Sequence, residues 1–186
     1  MSVTAKQALD VYSHAECLHG QVEVEAALTR MASEIGARLA GRNPLLLCTM
    51  TGGVVVTGHL LTRLDFPLQV DYLHATRYAG GTQGGALKWS AQPTKELRDR
   101  VVLVVDDILD EGNTLAAILQ YCKAAGASEV YSAVLVNKLH ERKCDVHADF
   151  VGLTVPDRYV FGYGMDYKDY WRNAPGIFAV REEDTQ

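Results

Sequence analysis

The chain has 186 residues, 48% hydrophobic and 22% charged, with a net charge of −5. That is enough for one ordinary domain with a real core. The acidic balance, without any basic block, argues against nucleic-acid binding, and no apolar run approaches the ~20 residues that a membrane helix needs. The four cysteines, Cys17, Cys48, Cys122 and Cys144, form no C-x-x-C pair, so a disulfide framework and a thiolate metal site are not expected. Residues 1–6 carry one lysine and no apolar stretch after it, and a cytoplasmic protein is the expectation.

In chain order, Val24, Leu28, Met31, Ile35 and Leu39 recur at helical spacing and predict an amphipathic helix over 22–40, closed by Gly41. After Pro44, Leu45-Leu46-Leu47-Cys48 reads as a buried strand. It ends in Met50-Thr51-Gly52-Gly53, and an apolar helix comes next, over 54–64. Residues 70–75 predict a third strand. The stretch 77–95 holds Gly80-Gly81 and Gly84-Gly85 without periodicity and reads as a lid loop. A strand over 101–105, a helix carrying Leu115, Ile118, Leu119 and Cys122 and ended by Gly126, and a strand over 130–136 come next. Residues 150–160 and 177–180 read as short strands and turns. Strands alternating with helices predict the α/β class, a mostly parallel central sheet flanked by helices. The change of texture after residue 137 predicts a single domain, 1–186. Its core would span about 22–137, with a small hood from 138–186 plus the N-terminal residues.

The segment Val101-Val102-Leu103-Val104-Val105-Asp106-Asp107-Ile108-Leu109-Asp110-Glu111-Gly112-Asn113-Thr114-Leu115 is the most informative. Its apolar, mostly β-branched run fits a strand buried on both faces of a parallel sheet. The acids then fall at the carboxyl end of a central strand, where open α/β sheets bind ligands. Glu111-Gly112-Asn113-Thr114 forms a strand-to-helix turn whose free N–H groups can hold a phosphate. Four acids within six residues repel one another and call for a cation or several hydroxyls nearby. A nucleotide hydrolase would also need a G-x-x-x-x-G-K-[ST] loop, which the sequence lacks.

This segment resembles the phosphoribosyl-diphosphate signature of the type I phosphoribosyltransferases: an apolar strand, two acids, two apolar residues, then acid-x-Gly-x-Thr. Cys48-Thr49-Met50-Thr51-Gly52-Gly53 resembles the diphosphate loop of the hypoxanthine-guanine phosphoribosyltransferases, which carries a cis peptide. Arg77-Tyr78 resembles the start of their mobile catalytic loop, and Lys138 comes after a buried strand as their base-reading lysine does. The segments 150–157 and 160–167, with Arg172, are similar to their purine-binding and C-terminal segments, so the resemblance covers about residues 22–181.

The resemblance implies the type I fold and a purine-salvage transferase. It would join hypoxanthine or guanine to 5-phospho-α-D-ribose 1-diphosphate, with Mg²⁺ as cofactor. Asp106, Asp107, Asp110, Glu111, Gly112, Asn113, Thr114 and Leu115 would bind phosphoribosyl diphosphate. Thr51, Gly52, Gly53, Arg77, Tyr78 and Arg172 would bind its diphosphate. Lys138, Phe150, Val151 and Asp157 would bind the purine, Asp106, Asp107 and Asp157 the metal, and Asp110 would act as general base. Thr51 stands where some members carry lysine, Asp106 where glutamate is frequent, and Asn113 where lysine, arginine or threonine is usual. Xanthine or another base remains an alternative substrate. A non-catalytic phosphoribosyl-diphosphate-binding regulator is the alternative from another class. A homodimer or homotetramer is implied, with no nucleic-acid or membrane partner.

Overall fold

The structure is a computed structural model that describes residues 3–77, 87–142 and 144–185. Helix α1 (Ala5–His14) opens on a capping box. The Thr4 side chain accepts from the Gln7 N–H and the Gln7 side chain accepts from the Thr4 N–H. Strand β1 (Glu16–Gly20) and helix α2 (Gln21–Leu39) come next. Then come β2 (Leu45–Thr49), α3 (Gly53–Leu61), β3 (Gln69–Arg77) and β4 (Leu87–Ala91). The central unit is β5 (Val101–Leu109), α4 (Asn113–Ala124) and β6 (Glu129–Leu139), and the chain ends in β7 (Phe150–Pro156), β8 (Val160–Phe161) and β9 (Gly176–Ala179).

Six strands form the large sheet in the order β4-β3-β2-β5-β6-β7. Every pairing is parallel except that of β3 with the edge strand β4. The side chains explain why the sheet is buried on both faces. Leu46, Leu103, Val105, Ala133 and Leu135 point into a core shared with Val24, Leu28, Met31 and Ile35 of α2 and Val56 and Leu60 of α3. Their neighbours Leu45, Leu47, Val102, Val104 and Val134 point the other way, onto Leu115, Ile118 and Cys122 of α4. The two-residue period of a strand thus feeds two separate cores.

A second, three-stranded sheet, β1-β9-β8, is antiparallel and forms the hood. Helix α1 belongs with it through a small core of Val11, Phe161, Tyr167, Ala174 and Val180. Tyr12 stacks on Trp171 with ring centroids 4.5 Å apart and meets Phe178 edge-on at 5.0 Å.

Three expectations change. The texture break after residue 137 does not separate the two sheets: β6 runs on to Leu139 and β7 is an edge strand of the large sheet. The stretch 77–95 is not wholly loop, because β4 pairs back onto β3, and most of the expected lid lies outside the described residues. The chain leaving β4 is tied down by Asp71, which accepts from the Tyr72, Thr94 and Lys95 N–H groups at 2.8, 2.7 and 2.8 Å. Finally, α1 and β1 have no counterpart among the elements expected from the sequence, although Ala5, Ala8, Leu9 and Tyr12 recur at helical spacing behind the Thr4 cap.

Candidate active site

The site forms where β2 stops and β5 continues. The pairing of β2 with β5 ends at Cys48 and Val105, while β6 still pairs with β5 out to Leu109. Asp106 and Asp107 are therefore the first residues of β5 with no strand on one side. They lie within the strand rather than beyond it. The chain leaving β2 folds over them as a short loop with a cis peptide between Met50 and Thr51. Glycines allow the close fit: a Cβ on Gly53 would lie 2.6 Å from the Val105 carbonyl oxygen, and one on Gly52 would lie 2.1 Å from Asp107 Oδ2. The hood closes from above, with Gly164 packed so tightly that a Cβ would sit 2.1 Å from the Gly52 carbonyl oxygen.

The acids are pinned by backbone amides. Asp106 Oδ1 accepts from the Asp107 N–H at 2.9 Å, and Asp107 Oδ1 accepts from the Ile108 N–H at 2.8 Å. Burial, and then the adjacent Asp107 charge, push the Asp106 carboxyl well above its ordinary range. Burial also raises Asp107, and the nearby Arg172 charge works against that rise. This pair is electrostatically frustrated on its own, so its chemistry fits a divalent cation with oxygen ligands.

After Leu109 the chain turns at Gly112 with φ +83° into α4. The amides of its first turn have no carbonyl inside the helix to receive them. A cavity of about 430 Å³ opens there, lined by Asp106, residues 108–115 and Arg142. Asp110 and Glu111 line this cavity as well, and their carboxylates are engaged by other side chains. Glu111 accepts from the Asn113 side chain at 3.1 Å, and Asp110 accepts from Lys138 and His140 at 2.6 and 2.7 Å. Burial alone would raise Asp110, but the hydrogen bonds from these two donors and the Lys138 charge outweigh it and hold the carboxyl below its ordinary range.

A second cavity of about 200 Å³ adjoins the first through Ile108 and Asp110. It is lined by Asp107, Ile108, Asp110, Lys138, Tyr159, Val160, Met165 and Asp166. Lys138 is buried, on the face of β6 that looks toward the acids. Arg172 stands behind Asp166: it pairs with Asp166 Oδ1 at 2.6 Å and donates to the Gly164 carbonyl at 2.7 Å. Thr51 is exposed on the loop next to Gly52. The side chain of Arg77 and the whole of Tyr78 lie outside the described residues.

The assignments of Phe150, Val151 and Asp157 are corrected by the register of β7. Phe150 pairs with Ala133, whereas Lys138 pairs with Val155, five residues further on. At ~3.3 Å per residue, Phe150 lies roughly 16 Å from the level of Lys138. Its ring is buried in the core that α2 and α3 share with the sheet, with the Tyr131 ring centroid 6.4 Å away. Val151 beside it faces the α4 core, and its carbonyl accepts from Arg30 at 3.4 Å. Asp157 is held by Arg142 at 2.6 and 2.8 Å, outside the cavity that holds Lys138. The residues found there instead are Tyr159, Val160 and Asp166. The available signal was a second aromatic-valine pair, Tyr159-Val160, with Met165-Asp166 six residues later. His140 gave no signal, because nothing in its local pattern shows that it reaches Asp110.

Residues 14–169 match the phosphoribosyl transferase domain family. The chain belongs to that family. Among curated relatives, it is 34% identical over 161 residues to a hypoxanthine-guanine phosphoribosyltransferase of Streptococcus pneumoniae, covering 84% of this chain and 89% of the other. It is 31% identical to a hypoxanthine-guanine-xanthine phosphoribosyltransferase of Tritrichomonas foetus, covering 89% and 91%. A crystal structure of a hypoxanthine phosphoribosyltransferase from Staphylococcus aureus superposes with a TM-score of 0.86 at 25% identity, covering 92% and 94%.

Proposed function

We propose that the protein is a purine-salvage transferase that joins hypoxanthine or guanine to 5-phospho-α-D-ribose 1-diphosphate, giving IMP or GMP and diphosphate. The observation that carries this reading is the meeting of two cavities at Asp110. One ends on the amides of an α4 N-terminus, and the other holds Lys138, Tyr159 and Asp166. The names of the relatives support the same substrates. The chain is read as one domain, with the small sheet and α1 as a hood over the large sheet.

In this mechanism, the first-turn amides of α4 and the Thr114 hydroxyl hold the 5′-phosphate. Asp106 and Asp107 accept from the ribose 2′ and 3′ hydroxyls. Magnesium, when bound, neutralises the leaving diphosphate. Asp106 and Asp107 fit one such ion as a carboxylate pair, and Asp166, in place of Asp157, fits a second across the cavity. The amides of Thr51, Gly52 and Gly53, with Arg172, face the diphosphate. In the base cavity the Tyr159 ring stacks on the purine and Lys138 donates to its 6-oxo group. Adenine would set an amino donor against that ammonium, so the site rejects it. Asp110, a carboxylate where the two cavities meet, takes the proton from N7. A homodimer or homotetramer is proposed, supported by exposed Val54, Val70 and Tyr72 around a groove of about 590 Å³ on the α3–β3 side. The location is proposed to be the cytoplasm.

The test is a spectrophotometric assay with phosphoribosyl diphosphate, magnesium and each of hypoxanthine, guanine, xanthine, adenine and uracil. Turnover of hypoxanthine and guanine, with adenine and uracil left unreacted, is expected. Conversion of xanthine as well would extend the substrate class. If phosphoribosyl diphosphate binds and no base reacts, the protein is a regulator and not an enzyme.

A further inference from the structure

We infer that His140 is a positioning residue that dictates which oxygen of Asp110 receives the proton of the purine base, an inference that rests on the general-base reading of Asp110.

Both oxygens of Asp110 are engaged, each by a different partner. Lys138 Nζ donates to Oδ2 at 2.6 Å, and His140 Nε2 lies 2.7 Å from Oδ1. Lys138 is the last residue but one of β6 and His140 is the first residue beyond the strand, and from there the two reach opposite oxygens of Asp110, just past the end of β5. Their fates during the reaction differ. Lys138 has somewhere else to go, because the 6-oxo group of the base draws its ammonium away from Oδ2. His140 does not. Its side chain is only 4% exposed, and its Nδ1 accepts the Arg142 N–H at 3.1 Å.

That backbone bond sets the tautomer. With Nδ1 an acceptor, the proton of the neutral imidazole is on Nε2, and Nε2 donates to Asp110 Oδ1. A donor on Oδ1 leaves Oδ2 as the free basic oxygen once Lys138 moves to the base. In the transfer step, N9 of the base uses its lone pair to form the bond to ribose C1′. The C1′–O bond to diphosphate breaks, and its electron pair leaves with the diphosphate oxygen. The N7–H bonding pair returns to the purine ring, and the proton passes to Asp110 Oδ2. Oδ1 remains an acceptor throughout, so the bond to His140 survives the change from carboxylate to carboxylic acid. His140 transfers no proton and touches no substrate. It prevents the Asp110 side chain from rotating when Lys138 releases it.

The experiment compares His140→Ala and His140→Gln with the wild type in steady state on hypoxanthine, with Asp110→Asn run alongside. Gln is chosen because its amide nitrogen can replace Nε2 as a donor. For His140→Ala, kcat is expected to fall roughly 10-fold or more, as misplacement of a catalytic group does, while KM for phosphoribosyl diphosphate stays within about twofold. His140→Gln is expected to recover most of kcat. An unchanged kcat in the alanine variant overturns the inference. So does a glutamine variant as slow as alanine, because the ring would then matter only for packing. If His140→Ala no longer binds phosphoribosyl diphosphate, the glutamine variant alone decides, and a kcat near wild type supports the inference. If Asp110→Asn turns over like the wild type, the general-base reading fails on its own account, whatever the His140 variants do.

Discussion

Lys138 and Asp106 carry opposite kinds of electrostatic demand, and each makes a prediction at the scale of the residue. The Lys138 ammonium is buried and satisfied by Asp110 until a base arrives. Lys138→Ala should lower kcat/KM for hypoxanthine by roughly 10–100-fold, the worth of a hydrogen bond from a charged donor. Adenine, already rejected, should lose nothing by the change, and an unchanged kcat/KM for hypoxanthine would count against the assignment. Asp106 is the reverse, a carboxyl whose burial beside Asp107 raises its pKa. A group with a raised folded pKa contributes stability that is complete below its unfolded value and is lost as pH climbs through the folded one. Asp106→Asn mimics the protonated form and keeps an acceptor for the Asp107 N–H. In magnesium-free buffer it should be more stable than the wild type by about 0.5–2 kcal/mol at pH 8, as relief of a strained active site commonly is. That difference should shrink toward zero near pH 4, and thermal melts across that range read it directly.

Between elements, the loop from β2 to α3 is fitted to β5 by missing side chains. Gly52 lies in the right-handed helical region at φ −58°, so alanine there meets no backbone strain of its own. Its methyl group would instead collide with the Asp107 carboxylate, 2.1 Å away. Gly52→Ala should therefore weaken binding of phosphoribosyl diphosphate about 10-fold or more, a cost of about 1.4 kcal/mol upwards, with only a small change in melting temperature. Titration calorimetry beside a thermal melt separates the two. A large loss of stability with intact binding would mean that the loop, and not the acid, had moved.

For the molecule as a whole, the hood stands on its own small aromatic core. Phe161 is fully buried there, stacked on Phe178 and edge-on to Tyr12 of α1. Phe161→Ala should cost about 3–5 kcal/mol of stability in chemical denaturation. Because β8 and the chain around it also carry Tyr159 and Val160, KM for the purine should rise more than KM for phosphoribosyl diphosphate. Equal rises would mean that the hood does not act separately on the base.

The local sequence determined the four inner strands β3, β2, β5 and β6 of the large sheet, its flanking helices and the phosphate half of the site, but not the two edge strands β4 and β7. Apolar β-branched runs specify doubly buried strands, and the acid-rich turn into α4 lies within one contiguous stretch, so spacing alone places Asp106 to Leu115 together. The base half was decided by tertiary structure. Phe150-Val151 and Tyr159-Val160 are both plausible aromatic-valine pairs in the sequence. Only the register of β7 on β6 puts the first pair in the core and the second beside Lys138. His140 and Asp110 are likewise 30 residues apart in the chain. Their contact exists because β5 and β6 run parallel and end together, and strand pairing of that kind leaves no mark in the residues around either one.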